Sequence, residues 1–162
     1  MPGYDLPTSR QGLLPWRWAA DRLRRSHNYW LLTTRPDGAP HAMPVWGLWL
    51  GDRFYFSTGR RSRKSENLAR NPRCVVCNER AEAAVIVEGT AVELTDPAKV
   101  ARLARPYERK YRPWTLDPDL GPIYEVRPRV VFGIPERTFP RSTTRWVFAV
   151  QSAVRRPAGR RR

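Results

Sequence analysis

The chain has 162 residues, of which 41% are hydrophobic, and its formal net charge is +15. That length and apolar content allow one domain with a hydrophobic core, and they exclude a disordered polar chain. No apolar run comes near the length of about 18 residues that a membrane-spanning helix requires, and the N-terminus lacks the basic and then apolar pattern of a signal peptide. We therefore expect a cytoplasmic protein with no membrane partner.

The positive charge favours anionic partners such as nucleic acid, a membrane surface or a phosphorylated ligand. Lysine occurs only at positions 64, 99 and 110, so arginine carries nearly all of this charge. Residues 151–162 are rich in arginine, and we predict that they form a basic, disordered tail. Residues 1–14 are expected to be poorly ordered, which leaves residues 15–150 as one domain.

The first half of this domain is predicted to contain a short amphipathic helix and then three strands in a meander. The helix covers residues 15–26, where apolar side chains recur at helical spacing. The strands are separated by turn residues and cover residues 28–35, 39–50 and 53–58. Pro44 and Gly47 interrupt the second strand, and Pro44 indicates an edge position or a bulge because it cannot donate to a ladder.

The second half is predicted to add two helices and four strands. One helix begins after Ser62 and ends before Pro72, and Leu68 is the only sizeable apolar side chain that it can bury. The other begins at Pro97, and Pro106 is expected to kink or end it. The strands cover residues 73–78, 83–94, 123–134 and 143–150. Six or seven antiparallel strands with short helices indicate a mainly β fold, a small Greek-key-like barrel.

Cys74 and Cys77 form a C-x-x-C motif, which in other settings binds zinc or carries redox chemistry. Here they fall in a predicted strand, where residues three apart face opposite sides. Zinc would also need further ligands, and the chain offers only His27 and His41 as histidines. We predict two structural thiols and no metal site.

The segment STGRRSRKSENLARNP, residues 57–72, places a basic cluster at a predicted helix N-terminus. Unpaired N–H groups and the helix dipole make such a terminus suited to phosphate. Cations in the first turn oppose the dipole, so Arg63 and Lys64 point to a bound anion. Three hydroxyl side chains complete the predicted phosphate site: Ser57, Thr58 and Ser62. A solvated basic loop is the alternative interpretation.

Residues 33–79, TTRPDGAPHAMPVWGLWLGDRFYFSTGRRSRKSENLARNPRCVVCNE, resemble the pyridoxamine 5'-phosphate oxidase-like split-barrel superfamily. Residues 57–72 are the most diagnostic part of this likeness. Further along, VEGTAVELTD and YEVRPRVVFG resemble the reductase branch, whose members use the deazaflavin coenzyme F420. The resemblance implies a split β-barrel that binds FMN or a deazaflavin, and a homodimer with cofactor sites at its interface.

The same resemblance assigns residues to the cofactor. Its phosphate would be held by Ser57, Thr58, Ser62, Arg63 and Lys64. Its ring would lie against one strand segment formed by Met43, Pro44, Val45, Trp46 and Gly47. Interface sites would explain tryptophans beyond the needs of one small core, namely Trp30, Trp46, Trp49 and Trp114, and packing in the core is the alternative for each. Four aromatic residues are candidates for the substrate pocket: Tyr107, Tyr111, Trp114 and Tyr124.

One departure from the vitamin-oxidising members bears on the choice of cofactor. Those oxidases carry an arginine and a lysine on the second strand that contact the FMN phosphate, and this chain has Ala42 and Gly47 there. It also lacks their C-terminal substrate-binding pattern. We therefore favour coenzyme F420, whose tail carries several carboxylates, with FMN as the close alternative.

The resemblance implies an oxidoreductase, a reductase rather than an oxidase, that transfers a hydride between the cofactor ring and a planar or conjugated small molecule. His41 is a candidate general acid near the ring strand, although a lone histidine on a strand is more often structural. An FMN-binding relative of the oxidases is one alternative. Another is a basic nucleic-acid-binding module, which the absence of a helix-turn-helix, zinc-finger or RRM signature disfavours. A barrel that binds a cofactor without turnover is a further possibility.

Overall fold

A computed structural model describes residues 12–149, which form seven strands and three α-helices. In chain order these elements are α1 (Trp16–Arg25), β1 (Asn28–Thr34), β2 (Pro40–Leu50), β3 (Arg53–Ser57), α2 (Arg63–Arg70), β4 (Arg73–Asn78), β5 (Ala83–Glu93), α3 (Pro97–Tyr111), β6 (Ile123–Pro135) and β7 (Thr144–Val147). Single 3₁₀ turns lie at Pro118–Leu120 and Glu136–Thr138. The predicted basic tail and residues 1–11 of the predicted N-terminal segment lie outside the described residues.

Six of the strands close into an antiparallel barrel. Neighbouring strands follow the order β3-β2-β1-β4-β5-β6, and β3 pairs with β6 to complete the circle. β4 returns to lie beside β1 after the β1-β2-β3 meander, which is the Greek-key arrangement. β7 is the seventh strand and pairs with β6 outside the circle. The predicted mainly β barrel is confirmed.

Alternation along the strands directs apolar side chains into the barrel. Tyr29 and Leu31 of β1 face Val76 of β4 and Val87 of β5, and all four are fully buried. Burying a side chain of this size contributes about 1.5–3 kcal/mol, so the inward rows stabilise the fold most. α1 packs on the same core through Ala19 and Leu23. Within residues 12–149, no helix is both long and apolar enough to cross a membrane.

Two predicted breaks do not end their elements. β2 is continuous through Pro44 and Gly47. Pro44 does occupy an edge position, as predicted, because that half of β2 pairs with β1 alone. α3 continues past Pro106 to its end. A proline removes one helical hydrogen bond, and the burial of Leu103 before it and of Tyr107 and Tyr111 after it offsets that loss.

α2 is held to the barrel by polar contacts as well as by its one sizeable apolar side chain. Asn67 of this helix is fully buried, and its side-chain amide donates to Thr33 Oγ1 at 2.9 Å. The hydroxyl of Ser65 lies 2.9 Å from Tyr124 Oη. Leu68 is also buried, as expected, and belongs to the barrel core. The sequence therefore understated how firmly this short helix is fixed, because polar anchors leave no apolar signature.

Replacing Asn67 with alanine is expected to lower the free energy of unfolding by about 1–2 kcal/mol, because a buried hydrogen bond is lost. The loss stays modest because Asn67 Oδ1 is buried without a partner among residues 12–149. Urea denaturation followed by circular dichroism measures the change. Arg70→Ala, at an exposed position of the same helix, is the control and should change stability by less than about 0.5 kcal/mol. Equal effects of the two substitutions would contradict the polar anchor.

Candidate functional site

The N-terminus of α2 is capped as the sequence predicts. Ser62 Oγ accepts a hydrogen bond from the backbone N–H of Ser65 at 3.3 Å and lies 2.9 Å from Thr58 Oγ1. Helix geometry leaves the N–H groups of Arg63 and Lys64 without intrahelical acceptors. Hydroxyls, two free amides and the positive end of the dipole therefore meet at this point.

A cavity of about 320 Å³ opens between this helix terminus and β2. Its polar end carries Ser57, Thr58 and Lys64. Its apolar side is formed by Pro44, Val45, Trp46 and Tyr107, and Asn28 completes the lining. The structure thus brings six of the ten residues assigned to the cofactor together around one space.

The other four assigned residues do not line this space: Ser62, Arg63, Met43 and Gly47. Ser62 reaches it only through its hydrogen bond with Thr58. Arg63 and Met43 are exposed and are not among the lining residues. Any effect of Arg63 on the cavity is therefore electrostatic and does not involve direct contact.

His41 lies in the positive field of the same terminus. Burial, and then Arg35, Lys64 and Arg63, lower the pKa of its imidazole from the ordinary value. His41 Nδ1 is 3.4 Å from Thr33 Oγ1, which in turn accepts from Asn67. A lowered pKa leaves this imidazole neutral at pH 7, and it does not line the cavity. The geometry thus supports a structural role and gives no support to the predicted general acid.

Stacked aromatic rings back the apolar side of the cavity. The Trp46 ring lies parallel to that of Tyr111, with centroids 5.2 Å apart and planes 13° apart, and Trp114 is 6.0 Å from Trp46. Two other aromatic candidates do not reach the cavity, and for Trp49 the alternative of core packing holds. Trp49 and Tyr124 are buried in the barrel core, where Tyr124 stacks on Phe56.

Two residues near the cavity escaped the sequence analysis. Asn28 gave no signal, since it simply begins β1; its N–H donates to the Glu79 carboxylate at 3.0 Å. Lys110 extends from α3, and its Nζ donates to Gly47 O at 2.8 Å. Lysine is rare in this arginine-rich chain, and that rarity is the one signal that could have singled Lys110 out.

Positions 42 and 47, where the vitamin-oxidising proteins carry cations, lie in different environments. A Cβ at Gly47 would lie 2.3 Å from Phe54 Cζ, inside the barrel. No side chain at this position can therefore reach a phosphate outside the barrel. Ala42 is exposed and its methyl group is too short to hold an anion.

The rest of the described surface offers less suitable sites. Two larger depressions, of about 450 and 420 Å³, have no aromatic lining residue. Among residues 12–149, no three histidine, cysteine, aspartate or glutamate side chains lie close enough to hold a metal ion. Cys74 is buried inside β4, Cys77 faces the other side, and both are free thiols.

The chain is similar in sequence to one protein family and in structure to several known proteins. The family model described as pyridoxamine 5'-phosphate oxidase matches residues 18–151. An F420 reductase structure shares 22% identity with a TM-score of 0.57, over 68% of this chain and 93% of that one. An oxidase-related, FMN-binding protein from Nostoc punctiforme shares 19% identity with a TM-score of 0.56, over 85% and 98%. A heme-binding protein from Mycobacterium smegmatis shares 16% identity with a TM-score of 0.62, over 83% and 59%.

At these identities the structural likeness establishes a common fold. No curated protein sequence matches the chain. The family match spans most of the barrel and both sides of the cavity, from α1 to the end of β7. The chain therefore belongs to the pyridoxamine 5'-phosphate oxidase family.

Proposed function

We propose that the chain is an oxidoreductase that binds a flavin-type cofactor in the cavity between α2 and β2. Coenzyme F420 is the favoured cofactor and FMN the close alternative, and the reaction is hydride transfer to a planar or conjugated small molecule. The observation that carries the proposal is the composition of the cavity. Phosphate-binding groups lie at one end and flat apolar side chains at the other.

The polar end fits a phosphate ester. Lys64 supplies a cation, Thr58 and Ser57 supply hydroxyls, and the first turn of α2 supplies amide donors. These groups belong to the end of β3 and the start of α2, so the barrel holds them in place without a ligand. Such preorganisation reduces the entropy cost of binding an anion.

The apolar side fits a flat ring. Pro44 and Trp46 of β2 and Tyr107 of α3 all line this side of the cavity. When bound, either cofactor supplies the hydride chemistry through its ring. The chain orients that ring, keeps water away from it, and offers the Tyr107 hydroxyl at the cavity wall. Burial raises the pKa of Tyr107, so this hydroxyl holds its proton at neutral pH.

Two features favour F420 over FMN. β2 provides no cation toward the cavity, since its positions 42 and 47 are alanine and glycine. The surface beside the helix terminus is strongly basic and includes exposed Arg61 and Arg63. A cofactor tail with several carboxylates suits such a surface better than the single phosphate of FMN. The F420 reductase among the structural relatives is consistent with this preference.

Parallel equilibrium binding of FMN and F420, followed by fluorescence at low and moderate salt, tests the proposal. We expect micromolar or tighter binding of one cofactor that persists at moderate salt, since ring stacking is not screened. Turnover of the reduced cofactor with planar acceptors then separates an enzyme from a carrier. Failure of both cofactors to bind, with salt-sensitive binding of DNA or RNA, would refute the proposal.

We also propose that two copies of the chain pair through the outer face of the sheet next to the cavity. Pro44, Trp30, Cys77 and Ile86 lie side by side on four successive strands and point outward. Trp30 at the centre of this row is 47% exposed. A contiguous apolar row of this kind marks an interaction surface. Pro44 also lines the cavity, so a second copy would add a wall to the cofactor site.

Replacing Trp30 with glutamate is expected to convert the dimer into a monomer, because a charge cannot be buried unpaired at the centre of an apolar interface. Sedimentation equilibrium should give the 18.8 kDa chain mass for this variant and twice that mass for the wild type. Leu120→Glu, at a residue exposed outside this face, is the control and should remain dimeric. A monomeric wild type would rule out the dimer.

A further inference from the structure

Gly47 marks the point where β2 changes its partner. Trp46 is the last residue of β2 that pairs with β1, and Gly47 is the first that pairs with β3. At this junction α3 supplies the hydrogen bonds that a strand would otherwise provide. Tyr111 Oη accepts from the Gly47 N–H at 2.8 Å, and Lys110 Nζ donates to the Gly47 carbonyl at 2.8 Å. Two adjacent residues of one helix thus bind both main-chain groups of Gly47.

Tyr111 also contacts the Trp46 ring, which lines the cavity, and Lys110 contacts Tyr111. Tyr111 stacks on Trp46, so one side chain binds the Gly47 peptide and supports the Trp46 ring. Lys110 Nζ is 5.2 Å from the centre of the Tyr111 ring and 4.7 Å from that of Tyr29. It also donates to Tyr29 Oη at 2.9 Å. Lys110 is therefore fixed by the barrel while it braces Tyr111.

We propose that Lys110 and Tyr111 are positioning residues that set the plane of the Trp46 ring and, through it, the fit of a planar ligand in the cavity. The part that concerns the ligand rests on the proposed function. The part that concerns Trp46 does not, because it follows from contacts within the chain.

Because Lys110 is titratable, its effect on the Trp46 ring should depend on pH. Burial lowers the pKa of Lys110 to about 8, and the nearby carboxylate of Glu79 opposes part of that effect. The other titratable groups around it are Tyr29 and Tyr111, which it contacts, and His27 and Tyr107, whose rings pack on Tyr111. Burial raises the pKa of both Tyr29 and Tyr111, so neither loses its proton near pH 8.

As the pH rises through about 8, the Lys110 ammonium becomes an amine. Its bond to the Gly47 carbonyl then loses the assistance of the charge, which roughly halves its strength. The environment of Trp46 should therefore change with a midpoint near this pH.

Fluorine NMR of protein labelled with 5-fluorotryptophan tests, without any ligand, whether Lys110 and Tyr111 position the Trp46 ring. Loss of one resonance in Trp46→Phe identifies the signal. In the wild type we expect this signal to titrate near pH 8, and Lys110→Met should shift it and abolish the titration. Lys110→Arg, which keeps the charge, should show no titration either. Lys99→Met, at an exposed lysine of the same helix, is the matched control and should leave the signal unchanged.

Binding separates a positioning role from a merely structural one. Lys110→Met and Tyr111→Phe should each weaken FMN or F420 by about fivefold to tenfold, as for the loss of one hydrogen bond. Inorganic phosphate, which cannot contact the aromatic wall, should bind both variants as it binds the wild type. Equal losses for phosphate and cofactor would overturn the positioning role.

The NMR result stands whether or not a cofactor binds. If the Trp46 signal and its pH profile are the same in the wild type, Lys110→Met and Tyr111→Phe, the inference is wrong. If the signal responds as expected while the wild type binds neither FMN nor F420, the proposed function fails and the positioning of Trp46 is upheld. Should Lys110→Met fail to fold, Lys110→Arg and Tyr111→Phe carry the same test.

Discussion

Replacing Gly47 with alanine is expected to lower the free energy of unfolding by about 3 kcal/mol, more than most single substitutions do. The added Cβ would lie 2.3 Å from Phe54 Cζ and 2.6 Å from the Tyr55 carbonyl oxygen. Phe54 is fully buried, so its ring cannot swing into solvent to make room. The Tyr55 oxygen belongs to the paired main chain of β3 and cannot move without disturbing the ladder.

Urea denaturation of Gly47→Ala and of Gly59→Ala provides the measurement and its control. Nothing lies within 4 Å of a Cβ built at Gly59, so that substitution should be nearly neutral. A loss of about 3 kcal/mol is a large fraction of the 5–15 kcal/mol typical of a domain, and the variant should be unfolded at lower urea concentration with an unchanged slope. If Gly47→Ala were as stable as Gly59→Ala, the close packing of β2 on Phe54 would be refuted.

Gly47 also shows where reasoning from the sequence succeeds and where it stops. The strands were predicted because alternation and turn residues are local signals, and the bounds of β4 agree with the structure residue for residue. A glycine within a strand was interpreted as an interruption, which is the usual local meaning. Position 47 instead requires glycine because of the close contact with Phe54 on the neighbouring strand, and its main chain is hydrogen-bonded to Lys110 and Tyr111 of α3.

The candidate site divides in the same way. The phosphate end was predictable because Ser57, Thr58 and Lys64 lie within a few residues of each other and of one helix terminus. Lys110 was not predictable, because its partner Tyr29 is 81 positions away and only closure of the barrel brings them together. Asn67 was missed for another reason. A polar residue on a short helix suggests exposure, whereas here it is buried against Thr33.

Removing both first-turn cations, as Arg63→Ala with Lys64→Ala, is expected to weaken cofactor binding by about 100-fold. Lys64 lines the polar end of the cavity and can bind a phosphate directly. Loss of a hydrogen bond to a charged group costs about 1.5–3 kcal/mol, and the larger part of the effect should come from this residue. Arg63 does not line the cavity, so its share is a field effect that salt should screen.

The control for this double substitution removes the same amount of charge from the loop just before α2. Arg60 is 3.5 Å from Glu93 and Arg61 is exposed, and neither lines the cavity. Arg60→Ala with Arg61→Ala should therefore weaken FMN by only about threefold or less at moderate salt, as expected for exposed charges. Titrations of both double variants with FMN and F420 at two salt concentrations measure the difference.

The comparison separates three arrangements of charge around the helix terminus. A large loss in the 63/64 variant for both cofactors, with little loss in the 60/61 variant, places the phosphate at the α2 N-terminus. If the 60/61 variant instead lost F420 binding and kept FMN binding, these arginines would contact the carboxylate tail, since FMN has no such tail. If the 63/64 variant bound both cofactors within about twofold of the wild type, the phosphate site would lie elsewhere, because such a ratio corresponds to less than about 0.5 kcal/mol.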